Sequence, residues 1–456
     1  MKLMNTPHKL SLWDLVQWTV YPANFLDACS RRYGDIFTVQ LPGQQPSIFV
    51  SHPEALKDIF TAPSESFDFR EGNQILDFIF REHSLLMMNG KSHLRQRKLM
   101  MPPFHGERMA HYGKLICGLT EQMMKTWSVG ESVSINLCMH KITQNVLFHV
   151  VFGSTKTERS EQLRQKLLAL IEMTTSTFFA LNALLPPLRK DLGPWSAWGS
   201  FLRIQNELDE LLYAEITERR MQPESERTDI LSLLMTARDE EGQPMTNEEL
   251  RDELITVLVS GYDTTSTALM WAMYWIHQTP SVRERLLKEL NNIKDPSDTK
   301  AISQLPYLTA TCQETLRLRP GLVVGFLRVA KTPIKMMDYE LPVGSRIWPN
   351  IYSAHRREEV YPDSEKFNPE RFLERHFSPY EYLPFGGGTR ICIGQALANY
   401  QMKLVLFSIL TRYQMTLADP RPIHPIRRGP GLQPLGNLRM IVTAQHHRQS
   451  NVPALA

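Results

Sequence analysis

No stretch of this chain is apolar for long enough to cross a bilayer. The longest apolar region, around Ile255 to Ile276, is interrupted by Asp263 and several hydroxyl residues and reads as a buried helix. The N-terminal MKLMNTPHKLSLWDLVQW carries neither a spanning segment nor a signal-peptide cleavage pattern, so the expected location is the cytoplasm. Cysteine is scarce: five residues among 456, an odd number, with no Cys-x-x-Cys pair. That argues against a disulfide framework and a structural zinc site and points to a reducing compartment. A charge excess is lacking too. Lys and Arg number 51 against 48 Asp and Glu, leaving +3, which gives no global ground for a nucleic-acid partner. Repeats, low-complexity blocks and Gly/Ser linkers are also missing, and the expectation is one domain over residues 1–456.

What is there is mostly helical by period. Residues 161–182, 199–222 and 246–278 carry apolar side chains at three- and four-residue spacing. The last of these opens on Thr246 with Glu249 three residues on, a capping box, and should stop before Pro280. At 1.5 Å per residue it spans roughly 50 Å, enough to cross a whole domain. A final helix is expected at about 394–413. Residues 35–50 read as two short strands around a Pro/Gly turn. The expected class is mainly α with a smaller β-rich part (α+β). The β-rich portions fall at about 35–60 and 320–380, and the helical ones at about 90–318 and 394–413.

Four motifs stand out. FGGGTRICIG, Phe385–Gly394, sets Cys392 behind three consecutive glycines, each costly to order, and at the start of a helix that favours a thiolate. A lone cysteine is ordinarily a small buried hydrophobe, but this backbone is built for close approach. No Gly-Lys-Ser/Thr follows, so a phosphate loop fails, and no histidine lies nearby to serve a nucleophile. Ser260–Thr267, SGYDTTST, puts Gly261, Asp263 and Thr264 inside the long helix. It reads either as a kink with hydroxyls bonded back to carbonyls, or as a groove beside an acid–alcohol pair. Glu314 and Arg317 share a helix face and form either a surface ion pair or part of a cluster closed by Arg371 from FNPERF.

In order and spacing these motifs resemble the cytochrome P450 family of haem-thiolate monooxygenases over nearly the whole chain. The cysteine loop matches at Phe385, Gly388, Arg390, Cys392 and Gly394. The oxygen-binding helix matches at Gly261, Asp263 and Thr264, with Ser260 where alanine or glycine is usual. The resemblance implies haem b held between the long central helix and the cysteine-loop helix, with Cys392 as axial thiolate. It also implies His93, Arg97 and Arg328 at the propionates, and a charge cluster of Glu314, Arg317 and Arg371. Thiolate ligation favours O–O cleavage, and Asp263 with Thr264 fits proton delivery.

The stretches that the resemblance makes substrate contacts are QILDFIFREHSLLMM, LITVLVSGYDTT, PGLVVGFLR and GPGLQPLGN. Their Leu, Ile, Val, Phe and Met suit a bulky apolar molecule, with Met87 and Met88 as an adaptable wall. A fatty acid or a terpenoid is expected, hydroxylated or epoxidised, with Arg70 or Arg81 to hold a carboxylate. O2 is the co-substrate, and electrons come from a separate ferredoxin or flavodoxin-type donor, attracted by basic residues such as Arg95, Lys98 and Arg375. Three rival readings are a peroxide-driven haem-thiolate enzyme, a haem sensor, and a haem-free cysteine enzyme.

Overall fold

The long helix organises the rest, and its first turn is closed as the sequence predicts. Glu249 N donates to Thr246 Oγ1 (3.1 Å) while Thr246 N donates to Glu249 Oε2 (2.8 Å). In the computed structural model, residues 8–446 are described apart from 41–44, 107, 154–156, 177–188, 194 and 223–226. The helix runs 32 residues, Asn247–Gln278, and Pro280 then opens the next one, Pro280–Asn291, at a position where its missing N–H costs nothing. Apolar on nearly every face, it has to be buried all round. Ile135–Phe152, Ala197–Met221, Pro306–Leu318 and Gln395–Leu410 pack against it. Leu254, Leu258, Leu269, Met270 and Trp271 fill the core between them.

The other periodic stretches fold nearly as read. Residues 161–182 give Glu158–Thr175, with 177–182 outside the described residues; 199–222 give Ala197–Met221; 394–413 give Gln395–Leu410, because Tyr413 already belongs to a strand. Ile36–Gln40 and Ser47–Val50 pair antiparallel with Phe37 opposite Phe49, their turn lying outside the described residues. They belong to a six-stranded mixed sheet completed by His8–Lys9, Arg346–Pro349, Arg328–Ala330 and Phe67–Asp68.

The β-rich boundaries need correction. The first ends at Val50, because Pro53–Thr61 is a helix: His52 caps it and Ala55, Leu56, Ile59 and Phe60 bury one face. The second ends near Pro349. Beyond it lie loops and short helices such as Ile351–Ala354, in a segment where Pro362, Pro369 and Pro379 each remove a ladder donor. Strands not expected from sequence lie outside both portions. Tyr413–Leu417 and Ser132–Ser134 flank Arg439–Gln445, and Pro425–Arg428 pairs with Gly431–Pro434 in a hairpin. Among the described residues no helix is long and apolar enough to cross a membrane.

Candidate active site

The cysteine loop is shaped first by its own protein. Cys392 N donates to Phe385 O (3.0 Å), and Gly386 and Gly388 sit at φ +72 and +65, where a Cβ is disfavoured. A Cβ on Gly388 would also lie 2.4 Å from Phe60 O, and one on Gly387 3.1 Å from the Phe60 ring. These two glycines therefore let the loop press onto the helix Pro53–Thr61. At Gly394 the nearest atom to an added Cβ is Cys392 Sγ, at an ordinary 3.9 Å.

Four of the five cysteines are buried and Cys392 alone is accessible, yet burial is the strongest influence on its thiol and pushes it up. The two facts agree if its sulfur faces an interior chamber rather than the outer surface. The N–H groups of Gly394 and Gln395 and the charge of Arg97 pull the other way but do not win. Contrary to the expectation from the helix start, the chain alone favours the thiol. A metal that binds the sulfur would deprotonate it.

The long helix has an opening of its own, its otherwise buried middle being interrupted at Val259–Gly261 and Thr264, with Ser260 exposed. The helix is not broken there. A Cβ on Gly261 would meet Leu147 Cδ2 at 3.0 Å, so glycine admits the helix Ile135–Phe152. Thr264 Oγ1 donates to Ser260 O (2.8 Å), as the bonded-back reading expects. Asp263, one residue earlier, is buried and turned elsewhere: Gln433 Nε2 donates to its Oδ1 at 2.7 Å. Burial raises Asp263 to about 6, against the charge of Arg428 and the bond from Gln433.

Around the chamber's rim the cations converge with no paired acid among the described residues, the charge of Asp68 reaching Arg390 only weakly. His93 is buried and pushed down to about 3 by burial and by Arg390 and Arg97, so it is neutral. Arg97 Nη1 donates to Ile391 O (2.8 Å); Arg390 donates to Leu85 O (3.2 Å) and Met88 O; Arg328 donates to Phe326 O (3.2 Å). Arg390 lies over the Phe69 ring at 3.8 Å and Arg328 over Phe60 at 4.6 Å. Among the described residues none of the three arginines has a carboxylate within ion-pair distance. Burial lowers Arg328 and Arg390 to about 9, and Arg390 Nε is buried with no partner. Buried charge of this kind is costly unless an anion completes it. Among the described residues no three His, Cys, Asp or Glu side chains gather to hold a bare ion. A metal carried in a macrocycle with acidic arms fits this donor set.

The Glu314 group is not a surface pair. Glu314 and Arg317 are wholly buried, joined by bonds of 2.7 and 2.9 Å, and Arg371 Nε reaches Glu314 Oε1 at 3.1 Å. Arg317 also donates to His355 O and Ser364 O. The other basic candidates are already paired. Arg81 meets Asp209 at 2.6 Å, Arg70 lies 4.0 Å from Glu82, Arg95 holds Asp239 and Glu249 at 2.7 Å, Lys98 meets Glu240 and Arg375 meets Glu381. They are not the free basic surface expected for an acidic donor.

Sequence reasoning missed a strap. His83 N donates to Asp252 Oδ2 (3.1 Å), Leu85 N to Glu253 Oε1 (2.7 Å), and the Ser84 and Thr256 hydroxyls lie 2.7 Å apart. The available signal was RDELIT, where Arg251, Asp252, Glu253 and Thr256 crowd four polar residues into a helix long enough to cross the domain. Gln433 was missed as well.

Comparison with known proteins matches this arrangement. The cytochrome P450 family profile covers residues 6–440. The chain belongs to the cytochrome P450 family. It is 34% identical over 404 residues to cytochrome P450 135B1 of Mycobacterium bovis, covering 87% of this chain and 83% of that protein. With cytochrome P450 137 of Mycobacterium tuberculosis it shares 31% over 411 residues, 90% of this chain and 83% of that one. The solved structure of retinoic acid bound cyanobacterial CYP120A1 superposes with a TM-score of 0.81 at 25% identity, over 97% of this chain and 100% of that chain. P450 proteins are haem-thiolate monooxygenases with a cysteine axial ligand, and membership gives this chain that general class, with O2, external electrons and a small-molecule substrate.

Proposed function

We propose that Cys392 is the axial ligand of a haem b clasped by His93, Arg97, Arg328 and Arg390, and that the enzyme hydroxylates or epoxidises a lipophilic acid of the fatty or terpenoid class. The observation that carries the haem assignment is the set of buried cations without acids on the rim of the chamber that Cys392 faces. The carboxylates of a bound haem would supply the missing anions to Arg97, Arg328 and Arg390, and neutral His93 would offer an N–H in place of charge. The haem, when bound, activates dioxygen with electrons delivered from outside.

The chain's own residues orient and move protons. With its proton given to Ser260 O, Thr264 Oγ1 presents lone pairs to the chamber and can hold a water there. Asp263, titrating near 6, can pass protons at neutral pH, with Gln433 holding its carboxyl in place. Glu314, Arg317 and Arg371 fix the loops behind the cysteine helix. The substrate class is supported by the apolar walls and by the retinoic acid, a terpenoid acid, named for the CYP120A1 structure. A ferredoxin or flavodoxin-type protein in the cytoplasm is the proposed electron source.

The test is the carbon monoxide difference spectrum of the reduced protein beside Cys392→Ala. A strongly red-shifted Soret band, lost in the variant, is expected. Haem uptake without that band in the parent would overturn the thiolate assignment.

A further inference from the structure

A lipophilic acid needs a cation for its head group, and Arg70 and Arg81 already face Glu82 and Asp209. A cleft of about 370 Å³ opens between the end of the helix Glu158–Thr175 and the hairpin Pro425–Pro434. Arg427 and Arg428 line it, with Glu172 as its one lining carboxylate, so the lining carries a net positive charge.

The two arginines differ. The charge of Arg428 acts on Asp263, Tyr262 and His140, so an acid of the chain lies within its reach. Among the described residues Arg427 meets no acid: its guanidinium lies over the Trp18 ring at 4.8 Å, and its Nε and Nη2 are buried without a hydrogen-bond partner. Burial lowers it to about 10 with no charge opposing. A second buried donor without a partner, Trp348 Nε1, belongs to a ring packed edge-on against the same Trp18 at 6.4 Å. A buried guanidinium against an aromatic face with no anion is also the condition of Arg328 and Arg390 on the chamber rim.

Resting on the substrate reading above, we propose that Arg427 binds the carboxylate of a lipophilic acid whose tail reaches into the chamber. The hairpin connects the two places. Gly429 turns at φ +53 where a Cβ would lie 3.2 Å from Thr175 Cγ2 and 3.8 Å from Asp263 Oδ2. A Cβ on Gly431 would lie 2.8 Å from Gly321 O, and one on Gly321 3.5 Å from Thr264 Cβ. Arg427 pairs across the hairpin with Leu432, the neighbour of Gly431, so about one cross-strand spacing of roughly 5 Å and one residue separate its backbone from the segment beside Gly321 and Thr264. Val323 and Leu432 supply apolar surface, in the same buried cluster that Trp18 packs against.

The experiment uses the haem-loaded full chain and compares palmitic acid with hexadecanol and retinoic acid with retinol. Binding is read by the haem absorbance shift and by equilibrium dialysis of labelled ligand. Arg427→Met is expected to weaken both acids at least tenfold and to leave the alcohols within twofold, while Arg427→Lys recovers part of the loss. Arg428→Gln is expected not to separate acids from alcohols. Equal losses for acid and alcohol in Arg427→Met, acid-selective loss in Arg428→Gln instead, or no acid binding by the parent would each overturn the assignment. The carbon monoxide spectrum, recorded for every variant, tells a failed head-group site from a failed haem-thiolate reading.

Discussion

Two sets of arginines lie inside this protein, and they are treated oppositely. Arg317, Arg371, Arg251 and Arg219 are buried against carboxylates of their own chain, with contacts such as 2.7 Å from Arg317 to Glu314 and 2.7 Å from Arg219 to Asp229. Arg97, Arg328, Arg390 and Arg427 meet carbonyls, rings or nothing. A guanidinium matched by the chain contributes to one folded arrangement. An unmatched one raises the energy of the fold by itself and lowers it once an anion arrives. The first set marks what the fold needs to stand, and the second what it is built to hold.

The comparison breaks if members of the two sets behave alike on substitution. The largest effect is expected from Glu314→Ala, which leaves Arg317 and Arg371 buried without their acid. A loss of about 3–5 kcal/mol is predicted, measured by urea unfolding of the haem-free protein. Arg390→Leu should do the reverse: haem-free stability unchanged or raised, haem loss to an apo-globin acceptor at least tenfold faster. A haem-free protein as damaged by Arg390→Leu as by Glu314→Ala would erase the distinction.

Asp263 offers a third test, through pH. Its folded value of about 6 lies above the usual 3.8. The fold therefore favours the protonated form, and that stabilisation, present below about 4, is lost as pH rises through about 6. Asp263→Asn does not ionise, so its melting temperature should gain on the parent's between pH 4 and 7. From roughly two pH units this amounts to up to about 3 kcal/mol. A constant offset across that range would place the ionisation elsewhere. Gln433→Leu removes one bond to the carboxylate and should shift the same pH dependence upward by a smaller amount. Least affected of all should be Lys98→Ala, whose exposed partner Glu240 screens it already. No change in melting temperature and less than twofold in the ferredoxin concentration giving half-maximal reduction are expected, and a larger kinetic change would restore Lys98 as a docking residue.

Much of the site could be read from local pattern. Thr246 and Glu249 are three residues apart and so are Glu314 and Arg317, so cap and pair follow from helix geometry. The cysteine loop carried its meaning in ten consecutive residues. What escaped depends on contacts far apart in sequence. Arg95 looks like a free surface cation until Asp239 and Glu249, 144 and 154 residues away, close on it. The glycines at 387 and 388 read as clearance for a ligand, whereas Phe60 is what they clear. Tyr413–Leu417 escaped because its partner strands lie elsewhere: Arg439–Gln445 directly, and Ser132–Ser134 beyond it.

The strap at residues 83–88 has a mechanical meaning. Its first half hangs from Asp252, Glu253 and Thr256 on the long helix, and its carbonyls at Leu85 and Met88 receive Arg390 from the cysteine loop. The long helix and the cysteine loop are thus bolted to one another along this side, through a piece of chain that also carries the buried Met87. A molecule that displaces the long helix by a fraction of an ångström strains the same bracket that steadies Arg390. On this side the molecule behaves as a closed frame, one in which the long helix and the cysteine loop can only shift together.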